Sequence, residues 1–143
     1  MHILGLDCGG TSSQALLTTT SGRILGSGRG GPANYTVNGV DGGLATKEAL
    51  QGTNLVLDQL QNAGVILALG VSGASRPPDL INLTEAFQKE GFPHVIVKHD
   101  ATIAQLGALS GEDGVIVIAG TGSIAYGVRD TRSARVGGWG YLL

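Results

Sequence analysis

The chain has 143 residues, of which 42% are apolar, and it carries a net charge of −2 with only nine lysines and arginines. This length allows one domain with a substantial core, and so few basic residues argue against a nucleic-acid surface and favour a small-molecule partner. Cys8 is the only cysteine, which excludes an internal disulfide framework or CxxC zinc pair and fits a reducing, cytoplasmic setting. No signal pattern and no apolar run of spanning length occurs, so we expect a soluble protein without a membrane partner.

The chain begins with a predicted β-hairpin, which consists of a strand, a tight turn and a second strand. The apolar run 3–6 leads into Asp7 and the turn Gly9-Gly10-Thr11, and apolar residues resume at 15–17. We expect a two-residue hairpin loop whose glycines let backbone N–H groups approach a phosphate, with a hydroxyl donor from Thr11. The Asp7 carboxylate is suited to magnesium and its water ligands. An ordinary Gly-Gly hairpin with a solvated aspartate explains the same short stretch.

Residues 24–28 predict a third strand, followed by a polar loop. Residues 26–31 have the spacing GxGxxG, but a proline and a loop follow instead of a helix, so we reject a dinucleotide site. The loop 30–39 contains Asn34, and its Gly-Pro-Asn content is typical of turns. Residues 41–63 have small and apolar positions at helical spacing, which predicts a helix that ends at Gly64.

The remainder of the first part of the chain alternates strands and helices. The predicted elements are a buried strand at 65–71 with a loop at 72–75, a helix at 80–90 entered through Pro77-Pro78, a strand at 95–97 and a helix at 100–109. The predicted order is therefore βββαβαβα, an α/β arrangement. Asp100 lies just past a β-rich run and at the start of the last of these helices, where an aspartate can serve as an N-cap.

A second hairpin repeats the design of the first. A β-branched strand at 115–119 is followed by the turn Gly120-Thr121-Gly122-Ser123 and a strand at 124–128. Two such turns could hold one phosphate chain from opposite sides. The segment Gly137-Gly138-Trp139-Gly140 combines a free backbone with an aromatic plane that can stack on a pyranose, although a tryptophan buried at a loop corner explains it equally well.

With these two hairpins in this order, the sequence resembles the superfamily of acetate and sugar kinases, heat-shock ATPases and actin, in which each of two lobes supplies such a hairpin. Within it, the sequence is similar to the N-acetylglucosamine kinase group, the BadF/BadG/BcrA/BcrD ATPase family, over essentially the whole chain. The resemblance implies a ribonuclease-H-like (actin-like ATPase) lobe with a mixed sheet over residues 1–112. Residues 113–143 would be the opening β-hairpin and loop of an incomplete second lobe, so we expect an amino-terminal half.

The resemblance also implies an ATP-dependent kinase that uses Mg²⁺ and transfers the γ-phosphate to a hydroxyl of N-acetylglucosamine or a related amino sugar. Asp100 would be the base that accepts the proton of the sugar hydroxyl, and Asp7 would hold magnesium through water. An asparagine amide can donate and accept hydrogen bonds toward adjacent hydroxyls, which suits Asn34 to sugar binding. The predicted phosphate-binding residues are Gly9, Gly10, Thr11, Gly120, Thr121 and Gly122, and the predicted substrate residues are Asn34, Ser123, Gly138 and Trp139.

Two alternatives remain open at this point. One is a BadF-type ATPase without a sugar substrate, as in family members that couple ATP hydrolysis to electron transfer. Those members hold a cluster with cysteines, whereas Cys8 is the only cysteine of this chain. The other is a non-catalytic lobe that binds a partner or assembles with itself. Because the strands of the second hairpin would leave open edges, we expect a homo-oligomer or a second-lobe partner.

Overall fold

We describe a computed structural model of residues 1–45, 64–120 and 122–139. The chain divides into two compact units, Met1–Asp100 and Ala101–Leu143. The lobe boundary predicted after residue 112 remains a prediction.

The first unit is built on one five-stranded sheet. Its elements are β1 (His2–Cys8), β2 (Ser13–Thr19), β3 (Ile24–Gly30), α1 (Tyr35–Ala45), β4 (Val65–Val71), α2 (Pro77–Lys89) and β5 (His94–His99). Helix α3 (Asp100–Ala108) begins at Asp100, the last residue of the first unit. The strand order is β3-β2-β1-β4-β5, with β1 antiparallel to β2 and parallel to β4, and with β4 parallel to β5. The predicted α/β class and mixed sheet are confirmed.

The alternation of side chains along β1 defines the buried face of this sheet. Leu4 and Leu6 of β1 pair in register with Leu67 and Leu69 of β4, and all four side chains are buried. Paired residues lie on the same face of a sheet, so these leucines form one continuous apolar surface. Helix α2 contributes buried residues to the same core, including Phe87. The run 65–71, predicted as a buried strand, is thus the central strand β4.

Helix α2 begins three residues before the predicted position of residue 80. Pro77 and Pro78 occupy its first positions, where a missing backbone N–H costs nothing. The buried carboxylate of Asp79 accepts hydrogen bonds from the backbone N–H and the guanidinium of Arg76, which fixes this start. After the helix, the Phe92 ring packs edge-on against Phe87 with 6.3 Å between ring centroids.

The predicted loop at 30–39 is wrong from residue 35 onward, because α1 begins at Tyr35. Asn34 caps this helix: its carbonyl oxygen accepts from the backbone N–H of Asn38 at 2.8 Å, and its side chain accepts from a further backbone N–H. The helix is interrupted at Gly39, whose φ of 59° is non-helical. Of the helix predicted over 41–63, the part up to Ala45 is helical and residues 46–63 lie outside the described residues.

The second unit contains a three-stranded antiparallel sheet in the order β6-β7-β8. Its strands are β6 (Gly114–Ala119), β7 (Ser123–Arg129) and β8 (Arg132–Gly137). The predicted hairpin is present as β6 and β7, whereas β8 was not predicted, since its polar sequence lacks a strand signal of its own and it forms by pairing with β7. Within the described parts of the chain, no helix is long and apolar enough to cross a membrane.

Candidate functional site

The candidate site of the first unit lies at the carboxyl ends of its three parallel strands. Cys8, Val71 and His99 are aligned in register at the ends of β1, β4 and β5. The residues that follow these ends therefore leave the sheet at one edge, which we call the carboxyl edge. Ligands of open α/β sheets bind outside this edge.

The turn between β1 and β2 has four residues, 9–12, and not the two that were predicted. The backbone N–H of Gly9 donates to the carbonyl of Ser12 at 3.1 Å, and a Cβ at Gly9 would lie 2.8 Å from the same oxygen. A side chain at this position would force the turn open, which explains the glycine. The predicted phosphate-binding residues Gly10 and Thr11 lie at the exposed tip of this turn.

Asn34 lies beside the glycine turn and is hydrogen-bonded to the loop that follows β4. Its Oδ1 accepts from the backbone N–H of Thr36 at 2.9 Å, and its Nδ2 donates to Oγ of Ser72 at 3.2 Å. The same Nδ2 lies 3.7 Å from the position that a Cβ of Gly10 would occupy. The structure therefore brings the predicted substrate residue Asn34 beside the predicted phosphate turn.

Gly73 allows these segments to approach each other. It has φ +80°, and a Cβ there would collide with Oγ1 of Thr36 and lie 2.6 Å from Oδ1 of Asn34. Only glycine satisfies both conditions without strain. Sequence reasoning did not identify Thr36 or Ser72 as part of the site. The available signal was a Ser-Gly pair directly after a predicted buried strand.

Two carboxylates, Asp7 and Asp100, interact at the carboxyl edge. Asp7 is exposed, but the surrounding protein partly desolvates its carboxylate, and this raises its pKa above the ordinary value; the negative charge of Asp100 is the second cause. Asp100 is the first residue of α3, and its Oδ1 lies 2.8 Å from Nδ1 of His99. A hydrated divalent cation would relieve the repulsion between the two carboxylates, so the site fits magnesium. Among the described residues, no three His, Cys, Asp or Glu side chains are grouped so that they could hold a metal ion.

The side chain of Cys8 faces away from this edge into the core. It is fully buried, and burial followed by the charge of Asp7 raises its pKa to about 12. The thiol is therefore neutral at physiological pH and unsuited to ligate a metal cluster.

The predicted residues of the second unit form a separate group around the β6–β7 turn. The backbone N–H of Gly120 donates to the carbonyl of Gly122 at 2.8 Å, while Thr121 lies outside the described residues. Gly138 donates its backbone N–H to the carbonyl of Ser123 at 2.8 Å, so two predicted substrate residues are in contact. Trp139 is 65% exposed, and the alternative of a buried tryptophan is wrong. The Arg135 guanidinium lies 5.9 Å from the centroid of this ring, within the range of a cation–π contact.

The first unit has the fold of the actin-like ATPases and sugar kinases. A glucokinase of the ROK family from Streptomyces griseus, solved with glucose and AMPPNP, shares this fold at a TM-score of 0.63 and 19% identity over 94% of this chain and 46% of its own. Residues 4–143 match the BadF/BadG/BcrA/BcrD ATPase family, and the chain belongs to that family.

Three relatives with 28–33% sequence identity are named as kinases of amino sugars. An N-acetylmuramic acid/N-acetylglucosamine kinase of Clostridium acetobutylicum is 32% identical over 150 aligned residues, which cover 99% of this chain and 47% of the relative. A glucosamine kinase of Vibrio cholerae is 33% identical over 96% of this chain and 47% of its own length. A Chromobacterium violaceum structure, provisionally assigned as an N-acetylglucosamine kinase, has a TM-score of 0.77 at 28% identity and covers 98% of this chain and 50% of its own. The chain thus spans about half the length of the curated relatives it matches.

Proposed function

We propose that this chain supplies the sugar-binding and phosphate-binding groups of an ATP-dependent kinase that phosphorylates a hydroxyl of N-acetylglucosamine or a related amino sugar. The observation that carries the proposal is the arrangement at the carboxyl edge, where the Asn34 amide donates to Ser72 and lies beside the Gly10 turn. Support comes also from the names of the relatives, which are kinases of these sugars.

Phosphoryl transfer requires mainly positioning and neutralisation of charge. In the proposed reaction, the sugar hydroxyl oxygen forms a bond to the γ-phosphorus of ATP, the bond to the leaving ADP breaks, and the hydroxyl proton passes to Asp100. Backbone N–H groups of the turn at Gly10 and Thr11 hold phosphate oxygens, and Asp7 holds magnesium through water. Asn34 binds the sugar. Magnesium, when bound, neutralises charge that develops on the phosphates.

The second unit would contribute from the β6–β7 turn. Gly120, Thr121 and Gly122 are proposed to contact the phosphate chain. Ser123, Gly138 and Trp139 are proposed to contact the sugar, since the exposed indole has a face that can stack on a pyranose.

The test is a chimera in which residues 1–143 are fused to the carboxyl-terminal half of the Clostridium acetobutylicum relative, with that intact relative as positive control. ADP formation is measured with N-acetylglucosamine, N-acetylmuramic acid, glucosamine or no sugar. We expect formation of ADP that depends on an amino sugar. ADP formed at the same rate without sugar would favour the ATPase alternative, and a folded chimera that forms no ADP would favour the non-catalytic one.

The role of Asp100 is tested in the same chimera. Asp100→Asn should lower kcat by at least about 100-fold, because a positioned base contributes that order of acceleration. Asparagine also favours helix starts, so the melting temperature should change little. Glu85→Gln, which removes an exposed carboxylate on α2, is the matched control and should leave kcat unchanged. Retention of turnover in Asp100→Asn together with a lower melting temperature would show a structural role instead.

A further inference from the structure

The side-chain amide of Asn34 is held at both of its ends. Its Oδ1 accepts the backbone N–H of Thr36 at 2.9 Å, and its Nδ2 donates to Oγ of Ser72 at 3.2 Å. A backbone N–H can only donate, so the atom that faces Thr36 must be the amide oxygen. The nitrogen is therefore the end that lies beside Ser72 and the Gly10 turn.

Ser72 is itself fixed by the sheet. Its backbone N–H donates to the carbonyl of Cys8 at 2.9 Å, and its carbonyl accepts from the backbone N–H of Tyr35 at 2.9 Å. These bonds connect the ends of β1 and β4 to the start of α1. The backbone position of Ser72 thus follows from the pairing of these strands.

We infer that Ser72 and the first turn of α1 are positioning groups that fix the Asn34 amide with its nitrogen toward the Gly10 turn, so that the site recognises a hydrogen-bond acceptor of the sugar. An amide nitrogen carries two hydrogens, and Ser72 takes one of them. One donor is left for a hydroxyl oxygen or the carbonyl oxygen of an N-acetyl group. This inference rests on the proposed function and assigns a role to Ser72, which does not itself need to contact the sugar.

Neutral substitutions separate the donor from the helix cap. Asn34→Ser keeps a residue that caps helices as well as asparagine but removes the amide nitrogen. Ser72→Ala removes the acceptor that orients the amide, and Ser72→Thr retains a hydroxyl as the conservative control. In the chimera described above, Asn34→Ser and Ser72→Ala should each raise the KM for sugar about fivefold to tenfold, the factor that one neutral hydrogen bond supplies. The KM for ATP should stay within about twofold, and Ser72→Thr should restore the KM for sugar.

A measurement on the 143-residue chain itself does not require activity. In the ¹⁵N-labelled chain, the side-chain amide signals of Asn34 are those that vanish in Asn34→Ser. We expect slow exchange with solvent for one of the two amide hydrogens, because that hydrogen is bonded to Ser72. Ser72→Ala should accelerate the exchange and shift the signals, and Ser72→Thr should not. Glu85→Gln, at an exposed position of α2, is the control that should leave the Asn34 signals unchanged.

The two proposals can fail separately. If the Asn34 signals behave as expected but the chimera phosphorylates no sugar, the positioning of the amide stands and the proposed function is wrong. If phosphorylation occurs and Ser72→Ala alters neither the KM for sugar nor the Asn34 signals, the inference is overturned. A lower melting temperature of Ser72→Ala with an unchanged KM would also overturn it, because that result describes a purely structural hydroxyl.

Discussion

Gly73→Ala provides a sharp test of how the segments at the carboxyl edge fit together. Gly73 has φ +80°, and an added Cβ would collide with Oγ1 of Thr36 and lie 2.6 Å from Oδ1 of Asn34. The substitution therefore combines backbone strain with a steric clash at the capping bond of α1. Gly22→Ala is a matched control, because Gly22 has φ +84° but a Cβ there would meet nothing within 4 Å.

The two effects have separate magnitudes. A left-handed conformation costs a non-glycine residue about 1–2 kcal/mol, which is partly offset because alanine lowers the entropy of the unfolded chain. Gly22→Ala should therefore destabilise by about 1 kcal/mol. At Gly73 the clash adds about 1–3 kcal/mol, as overpacking does elsewhere, and threatens the cap formed by Asn34. We expect a total of about 2–4 kcal/mol for Gly73→Ala.

The assay is thermal unfolding of the two variants and the parent chain under one condition. For a chain of this length, 1 kcal/mol corresponds to about 3 °C, so Gly73→Ala should lower Tm by about 6–12 °C and Gly22→Ala by about 3 °C. The Asn34 side-chain amide signals should also shift in Gly73→Ala alone. Equal Tm losses in the two variants would refute the reasoning, since they would show that Thr36 and Asn34 do not enclose Gly73.

The other predictions concern charge, the thiol and assembly. The raised pKa of Asp7 means that the folded state binds this proton more tightly than the unfolded state, so ionisation lowers stability as pH rises above the ordinary aspartate value. Asp7→Asn should accordingly raise Tm at pH 7, and this gain in Tm should disappear as pH falls below the ordinary pKa of aspartate. An unchanged or lower Tm at pH 7 would contradict this. Cys8 should react with iodoacetamide at pH 8 only when the chain unfolds, and labelling of the native chain at the rate of a free thiol would refute its burial. Because the pKa of the thiol is raised in the folded state, its contribution to the free energy of unfolding should decline as pH rises from 9.0 toward about 12. Val117 and Val136 share a face of the second sheet, and their side chains are 73% and 75% exposed. We therefore expect light scattering to show a homodimer or larger oligomer, which Val117→Lys should dissociate. A monomeric parent chain would exclude this assembly.

Much of the fold follows from local patterns in the sequence. The unbroken apolar run at 65–71 predicts a buried strand, and it forms the central strand β4. Glycines and prolines mark turns and helix starts because they restrict or free backbone angles within a few residues. Asp7 and Asp100 could be selected as candidate site residues because each lies at or just past the end of a predicted strand, and Gly10 because it lies in a predicted turn.

Only the tertiary structure decided which of these residues meet. Asn34 and Ser72 are far apart in the chain, and their hydrogen bond exists because β1 and β4 pair in parallel and the loop before α1 crosses their ends. The same pairing brings Asp7 near enough to Asp100 for one carboxylate to raise the pKa of the other. Strand β8 is a further case, because its polar sequence becomes a strand only when β7 offers it an edge. Local patterns fix backbone preferences over a few residues, whereas contacts between distant segments depend on strand register, which is set by burial of the whole sheet face.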